Sequence, residues 1–223
     1  MKPKYRYQIL LIFCSLSLSC STDSKKAKTK IAEPILLRGY NTFETEPYKA
    51  VVIKCDIGRL KLNVMPYASH KLEIHKSYQK YVHFDPRGDT LFIYTQNTPK
   101  KDSEIKVNKT INIYCPSLNY LESNSSKVLI KNFSESQLKV VNKGSSLRLT
   151  NSAIKDLEIV NKGLSNVYLS IDNVIESLHV KLNSKSQYHS RAIVTKTFSL
   201  EAKSLDNANF LNTRNNDFNW IRD

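Results

Sequence analysis

From about residue 118 onward the chain repeats itself every 19 to 21 residues. One large apolar residue marks each successive unit, at Leu138, Leu157, Leu178 and Phe198. A second apolar residue follows two positions later in every unit, which is the alternation of a strand that buries one face. A period of this length with no helical pattern indicates short strands stacked unit upon unit.

A turn-forming segment rich in asparagine, lysine and serine follows each of these strands, at residues 142–146, 161–165 and 183–186. After the turn a second pair of apolar residues recurs with the same spacing, so each unit has room for two strands. Leucine-rich repeats share the period, but their Leu-x-x-Leu-x-Leu pattern with a fixed Asn or Cys is absent. The repeat therefore predicts an all-β fold, a parallel β-helix (solenoid) with coils of about 20 residues.

Apolar alternation also predicts strands before the repeats, for example around Val51 and Ile53, and no helical pattern of adequate length appears. We therefore expect one β-solenoid domain over residues 34–223, a length within the usual range for a single domain. Its expected parts are a less regular cap with the first coils, then regular coils, then a C-terminal cap, at residues 34–117, 118–206 and 207–223.

The first residues have the organisation of a secretory signal peptide. Three basic residues precede an apolar run over residues 9–18, which is shorter than the roughly 20 residues of a membrane-spanning helix. The run ends in Leu-Ser-Leu-Ser-Cys, which resembles the lipobox of bacterial lipoproteins and predicts a signal peptide over residues 1–19 with lipidation of Cys20. Ordinary cleavage at the same small residues, which leaves Cys20 unmodified, is the alternative.

Residues 20–33 combine the candidate lipid-bearing cysteine with a polar, lysine-rich segment, which is typical of a flexible tether. An anchor, a tether and a folded domain in this order predict an exported lipoprotein of the Gram-negative outer membrane, held in the membrane by an N-terminal lipid. In surface-exported lipoproteins of some Gram-negative groups an acidic cluster often follows the cysteine, whereas only Asp23 is acidic in residues 21–30. A periplasm-facing orientation is therefore favoured. Exposure at the cell surface stays open.

The chain carries a formal net charge of +14, from 34 Lys and Arg residues against 20 Asp and Glu residues. Removal of the signal peptide takes away three basic residues and no acidic ones, which leaves +11. This excess favours an acidic partner such as an acidic glycan or lipopolysaccharide, or else the lysines serve only to solvate the domain. The sequence has no tight arginine cluster, so specific binding of nucleic acid is not predicted.

Cys55 and Cys115 are the two cysteines outside the signal and lipidation segment. Both lie on the apolar side of a strand alternation, and an exported protein meets an oxidising compartment. A disulfide between them is therefore one prediction, and two buried thiols are the other. Neither cysteine nor any histidine has the spacing of a metal ligand, so we predict no metal and no cofactor.

One short segment interleaves basic and aromatic residues, at Lys76, Tyr78, Lys80 and Tyr81. This combination can recognise sugar rings or stacked bases, so the four residues form a candidate ligand patch. The simpler interpretation is that the aromatic residues pack in the core while the lysines face water.

No catalytic residues are predicted. Glycosidases and lyases built on a β-helix need carboxylates that converge in one groove, whereas the acidic residues on the repeats are scattered. Asp156 and Glu158 share a strand face, but an ion pair with Lys139 or Lys155 explains them without catalysis.

The order of several segments resembles the family described as putative auto-transporter adhesin, head GIN domain. The segments are residues 48–53, the sequence Arg-Gly-Asp-Thr-Leu-Phe-Ile-Tyr at 87–94, Pro-Ser-Leu at 116–118, and the coils rich in small residues that follow. The resemblance covers roughly residues 40–210. It implies a right-handed β-helix in a secreted or lipid-anchored envelope protein, in a family whose molecular activity is undefined.

These features predict a noncatalytic cell-envelope lipoprotein whose rigid β-solenoid serves adhesion or the docking of an envelope partner. The alternatives are a carbohydrate-active β-helix enzyme and a protein that binds polyanions or glycans. The expected partners are the membrane, through the lipid anchor, and an acidic glycan, lipopolysaccharide or an envelope protein. The sequence contains no indication of the oligomeric state.

Overall fold

The structure, a computed structural model, describes most of the chain from residue 39 onward. The described residues are 39–55, 60–97, 110–124, 126–144, 146–183 and 185–202, with the backbone of 208–210 and 217–221. The predicted signal peptide, Cys20 and the tether lie outside the described residues, as does part of the predicted C-terminal cap. In the described part, no helix has the length and apolar character needed to cross a membrane.

The described strands form two sheets. Sheet 1 contains, in spatial order, β1 (Tyr40–Glu44), β4 (Lys71–His75), β7 (Thr110–Cys115), β3 (Lys61–Pro66), β9 (Lys127–Lys131), β11 (Ser146–Thr150), β13 (Asn166–Leu169), β15 (Gln187–Ser190) and β17 (Ala208–Phe210). Sheet 2 contains β18 (Asp217–Ile221), β16 (Ile193–Ala202), β14 (Val174–Leu182), β12 (Ala153–Lys162), β10 (Ser134–Lys143), β8 (Tyr120–Asn124), β2 (Ala50–Lys54), β6 (Thr90–Thr95) and β5 (Val82–Arg87). The buried apolar residues of both sheets belong to one hydrophobic cluster.

From β8 onward the chain alternates between the two sheets, and each strand pairs in parallel with the next strand of its own sheet. Leu138 lies opposite Leu157, Leu157 opposite Leu178, and Leu178 opposite Phe198. All four side chains are buried. The alignment of apolar positions expected from the repeat is therefore confirmed, because a one-residue slip would turn this buried row towards solvent.

The prediction of a right-handed parallel β-helix for the whole domain is wrong. The described strands form two mixed sheets, in which β1 pairs with β4, β4 with β7, and β5 with β6 in antiparallel orientation. The strand order of sheet 1 also departs from the chain order, because β7 lies between β4 and β3. Gly88, with φ +59°, lies in the turn that reverses the chain between β5 and β6. The less regular first part of the domain therefore contains chain reversals that a uniform coil does not have.

Buried asparagines hold the chain where it passes from sheet 2 to sheet 1. The Asn161 side chain is fully buried, and its Nδ2 donates to the carbonyl oxygens of Ser165 at 3.1 Å and Gln187 at 2.8 Å. Its Oδ1 accepts hydrogen bonds from Asn142 Nδ2 at 3.0 Å and Ser165 Oγ at 2.5 Å. Asn161 therefore satisfies polar groups of two successive crossings at once, which buried backbone groups require.

Replacing Asn161 with alanine is expected to lower the free energy of unfolding by about 1–3 kcal/mol, because one buried and one partly buried carbonyl group lose their donor. Asn183 is an exposed asparagine at the next crossing, so Asn183→Ala is the matched control, with an expected change within about 0.5 kcal/mol. Urea unfolding of both variants measures the difference. Equal stability of the two variants would contradict this role of Asn161.

A lysine occupies a turn position that favours glycine. At the crossing after β14 the Ser186 N–H donates to the Asn183 carbonyl at 3.1 Å, and Lys185 has φ +73°. Gly144 and Gly163 occupy positive φ at the two preceding crossings, where the sequence analysis also placed turns. A side chain in this left-handed conformation is strained, whereas glycine adopts it without penalty.

Lys185→Gly is therefore expected to raise the free energy of unfolding by about 0.5–1 kcal/mol, since relief of the backbone strain exceeds the greater chain entropy of glycine. Gly163→Ala is the reciprocal test. A Cβ at Gly163 would meet nothing within 4 Å, so a loss of stability there reports the backbone conformation alone. Thermal unfolding that moves in the same direction for both variants would refute the assignment of strain to Lys185.

Cys55 and Cys115 are buried thiols in this structure rather than a disulfide. Cys55 directly follows β2 in sheet 2, and its Sγ donates to the Ile93 carbonyl at 3.9 Å. Cys115 ends β7 in sheet 1, where burial, with a smaller contribution from the charge of Glu135, raises the pKa of its thiol to about 12. The two cysteines thus belong to different sheets, which their shared apolar alternation does not reveal.

Candidate functional site

The candidate site is built on side chains that point away from the core. Strand residues alternate between the two faces of a sheet, and parallel in-register pairing places residues of successive strands opposite one another. We call such a line of opposed residues a row, and the side of each sheet turned away from the core its outer face. Each row samples one position of the repeat, so its chemistry follows from residues 19 to 21 positions apart.

The outer face of sheet 2 carries charges of both signs that neutralise each other. Lys139 Nζ lies 2.8 Å from Glu158, and Lys143 Nζ lies 2.7 Å from Glu122. Two further pairs join Lys181 to Glu201, and Lys196 to Glu176 at 2.6 Å. The contact between Lys139 and Glu158 confirms the ion pair that the sequence analysis expected. Each pair joins strands of neighbouring repeats, so these four lysines are neutralised by glutamates of the same face.

The pairing changes the titration of the acids involved. Partial burial would raise the pKa of Glu122, but hydrogen bonds from Lys143 and Tyr120 outweigh this effect and lower it. The hydrogen bond from Lys196 likewise lowers the pKa of Glu176. These acids are therefore charged at neutral pH, and they cancel the lysines beside them.

A cleft of about 410 Å³ lies on the same face, and Asp156, Glu158 and His179 are among the residues that line it. Two carboxylates in a cleft are the starting point for a glycosidase, in which one of them must be held protonated, usually by burial. Asp156 is exposed, and Glu158 is bound to Lys139 while its side chain is 39% exposed. The cleft therefore does not offer a carboxyl group the buried environment of a general acid.

The outer face of sheet 1 has a different charge. Its six neighbouring strands β7, β3, β9, β11, β13 and β15 contain no aspartate or glutamate. Their basic residues Lys61, Lys127, Lys131 and Arg148 alternate with buried apolar residues and lie on the outer face. The outer face of these six strands is therefore basic, and no acid of the six strands compensates it.

Three side chains form a cation–aromatic stack in one row of this face. Tyr168 lies opposite Arg148 on one side and His189 on the other. The guanidinium carbon of Arg148 lies 5.6 Å from the centre of the Tyr168 ring, within the range of a cation–π interaction. The rings of Tyr168 and His189 are 4.9 Å apart and nearly parallel, at 8°. Each side chain limits the freedom of the next, so the row is an ordered surface.

A cleft of about 380 Å³ adjoins this stack. Its lining includes all three stacked residues together with Ser170 and Arg191. Arg191 directly follows β15, where its N–H donates to the Leu169 carbonyl at 2.9 Å. Neither Arg148 nor Arg191 forms an ion pair with any residue in the described ranges. Two guanidinium groups therefore face one cleft without an internal counter-charge.

At the other end of sheet 1, around β4 and β7, polar side chains form hydrogen bonds and contacts with one another. Glu73 is buried, and its Oε2 accepts hydrogen bonds from Asn112 Nδ2 at 3.0 Å and from the Tyr114 hydroxyl at 2.9 Å. Lys71 is also buried, with its ammonium group 4.0 Å from the centre of the Tyr67 ring. Burial and the bond to Glu73 raise the pKa of Tyr114. These residues stabilise the sheet and are already paired with one another.

The structure separates the residues of the predicted ligand patch. Tyr78 is fully buried, Lys76 and Lys80 are exposed, and Tyr81 packs partly against the core. The Lys80 ammonium lies 4.7 Å from the centre of the Tyr81 ring. The four side chains therefore do not share one surface, and the simpler interpretation of packed aromatic residues describes Tyr78.

The stack escaped the sequence analysis although a signal for it exists. Arg148, Tyr168 and His189 are 20 and 21 residues apart, which is the period of the repeat. Reading the polar position between each pair of apolar residues along the repeats would have aligned them.

In the described ranges no group of three or more His, Cys, Asp and Glu side chains could hold a metal ion.

The architecture is similar to solved structures of two bacterial proteins that are described as putative adhesins. A crystal structure of a putative adhesin from Bacteroides fragilis matches with a TM-score of 0.52 and 12% identity, over 81% of this chain and 95% of that one. One from Parabacteroides merdae matches with a TM-score of 0.54 and 10% identity, over 81% of this chain and 75% of that one. At such identities the likeness shows the fold alone. No curated protein matches the chain.

The sequence itself matches a family model over residues 58–215, which is more than half of the chain. This match confirms the resemblance seen in the order of its segments. The chain belongs to the family described as putative auto-transporter adhesin, head GIN domain.

Proposed function

We propose that this protein is a noncatalytic cell-envelope lipoprotein that uses the outer face of sheet 1 to adhere to an envelope or extracellular partner. Its family is described as an adhesin domain and not by a reaction, which supports an adhesin-like role outside the cytoplasm. The observation that carries the proposal is that the two sheets differ in whether their basic residues have acidic partners. On sheet 2 four lysines are paired with glutamates, whereas Arg148 and Arg191 line a cleft that no acid lines.

Attachment to the membrane is the second part of the proposal. The lipobox-like Leu-Ser-Leu-Ser-Cys segment supports lipidation at Cys20, and the polar segment of residues 20–33 supports a tether between lipid and domain. A lipid chain with basic residues nearby is a combination that gives stable membrane binding. We assign the anchor to the Gram-negative outer membrane, with the domain facing the periplasm.

Cys20→Ser is expected to move the protein from the membrane fraction to the soluble fraction, because serine cannot receive the thioether-linked lipid. Intact-mass measurement of the wild-type protein is expected to show the added lipid. Ser21→Ala is the matched control, since it alters the neighbouring residue and leaves the cysteine in place. Sedimentation of the serine variant with membranes, together with a wild-type mass without lipid, would disprove the anchor.

Adhesion through sheet 1 is tested with beads that carry the purified protein, applied to immobilised cell envelopes. Arg148→Glu is expected to lower bead retention about tenfold or more, because like charge at an interface costs several kcal/mol. Lys162→Glu makes the same change of net charge on exposed residues of sheet 2 and is expected to retain adhesion. Equal losses in both variants would mean that net charge, and not this face, controls adhesion.

A further inference from the structure

The cleft on sheet 1 has the chemistry of a site for an acidic sugar. We propose that it binds a uronic acid residue of an acidic glycan, with the carboxylate held between Arg148 and Arg191 and the ring hydroxyl groups bound by the neighbouring polar side chains. The proposal rests on the adhesion role stated above and names its ligand class. It depends on neither the lipid anchor nor the orientation of the domain in the membrane.

The charged half of the ligand follows from the two guanidinium groups. Arginine binds carboxylates through two parallel N–H···O bonds, a geometry that lysine cannot offer. The contact with Tyr168 limits the freedom of the Arg148 guanidinium before any ligand arrives, so less entropy is lost on binding. Since neither arginine is paired within the described ranges, a carboxylate need not displace an internal acid.

The neutral half follows from three polar groups that line the same cleft. The Tyr168 hydroxyl, the Ser170 hydroxyl and the His189 imidazole form no hydrogen bond with other side chains or backbone groups in the described part of the chain. Each can donate or accept a hydrogen bond, which matches the alternating hydroxyl groups of a sugar ring. The cleft volume of about 380 Å³ lies within the usual range for small-molecule sites.

Other acidic partners fit the face less well. A nucleic acid binds through a series of phosphate contacts along a basic track, whereas here two arginines without an ion pair in the described ranges line one cleft. A membrane surface would need apolar residues that insert beside the charges. The exposed large apolar residues in the described part of the chain, Leu164, Ile171, Val174 and Ile193, do not line this cleft. Anionic vesicles therefore form a separate arm of the test.

The test measures binding to the full-length protein, solubilised in a non-ionic detergent, by calorimetry. The probes are trimers of galacturonic and glucuronic acid, their methyl esters, sodium sulfate, and vesicles that contain phosphatidylglycerol. We expect at least one acid trimer to bind, and its ester, which lacks the negative charge, to bind about tenfold more weakly or not at all. Sulfate alone is expected to bind more weakly than the trimer, because it lacks the hydroxyl groups.

The variants identify the site. Arg148→Gln and Arg191→Gln are each expected to weaken binding of the acid trimer about tenfold, because each removes a charge-assisted pair of hydrogen bonds. Lys162→Gln, which removes one positive charge from the outer face of sheet 2, is expected to leave affinity within about twofold. Both arginines are exposed, so unchanged unfolding temperatures verify that the variants are folded.

Four results would overturn the inference: no binding of either acid trimer, equal affinity for trimer and ester, equal losses in Arg148→Gln and Lys162→Gln, or binding to vesicles or sulfate without binding to the trimers. Loss of bead adhesion in Arg148→Glu combined with no trimer binding would leave the adhesion role standing and remove only the ligand assignment. Trimer binding without bead adhesion would leave the ligand assignment standing and remove the adhesion role.

Discussion

The structure depends on satisfying the backbone where the chain leaves one sheet for the other. At each crossing, buried carbonyl and amide groups lose their strand partners, and an unpaired buried group costs about 1–3 kcal/mol. Asn142, Asn161 and Asn173 are fully buried and provide the missing partners. Asn173 alone donates to the carbonyls of Leu149 and Ser170 at 2.8 Å and accepts from the Ser152 N–H at 3.1 Å. These bonds fix the position of the chain at successive crossings, although the crossings differ in length, and they thereby help to keep the strands in register.

Parallel pairing in register, interrupted by one shift between β14 and β16, converts a sequence repeat into rows of like position on the surface. The inner rows become continuous apolar lines such as Leu138, Leu157 and Leu178. Each outer row brings together the residues that occupy one position of the repeat, and these residues differ between the two sheets. On sheet 2 one row brings Lys139 against Glu158. On sheet 1 the corresponding alignment brings Arg148 against Tyr168, and the result is a stack and a cleft.

The sequence predicted the regular half of the fold better than the first half. Apolar alternation predicted strands before the repeats, for example around Val51 and Ile53, but alternation contains no information on which strand pairs with which. Only four residues separate β3 from β4, yet β7, from more than thirty residues further along the chain, lies between them. That placement depends on long-range pairing, which is why the antiparallel pairs and the mixed sheets were missed. Alternation was equally uninformative for the predicted patch, in which Tyr78 lies in the core.

The net charge of a chain built in this way says little about what its surface can bind. A lysine that the repeat aligns with a glutamate is neutralised within the molecule, and the four such pairs on sheet 2 remove much of the basic excess from that side. Charge remains available only where a base has no acid beside it. Arg148 meets this condition, because Leu129 and Tyr168 lie opposite it. The acid of the same row, Glu73, lies four strands away and is bonded to Asn112 and Tyr114. Selectivity for an acidic partner can therefore arise from the position of two arginines, while most of the lysines contribute to solubility alone.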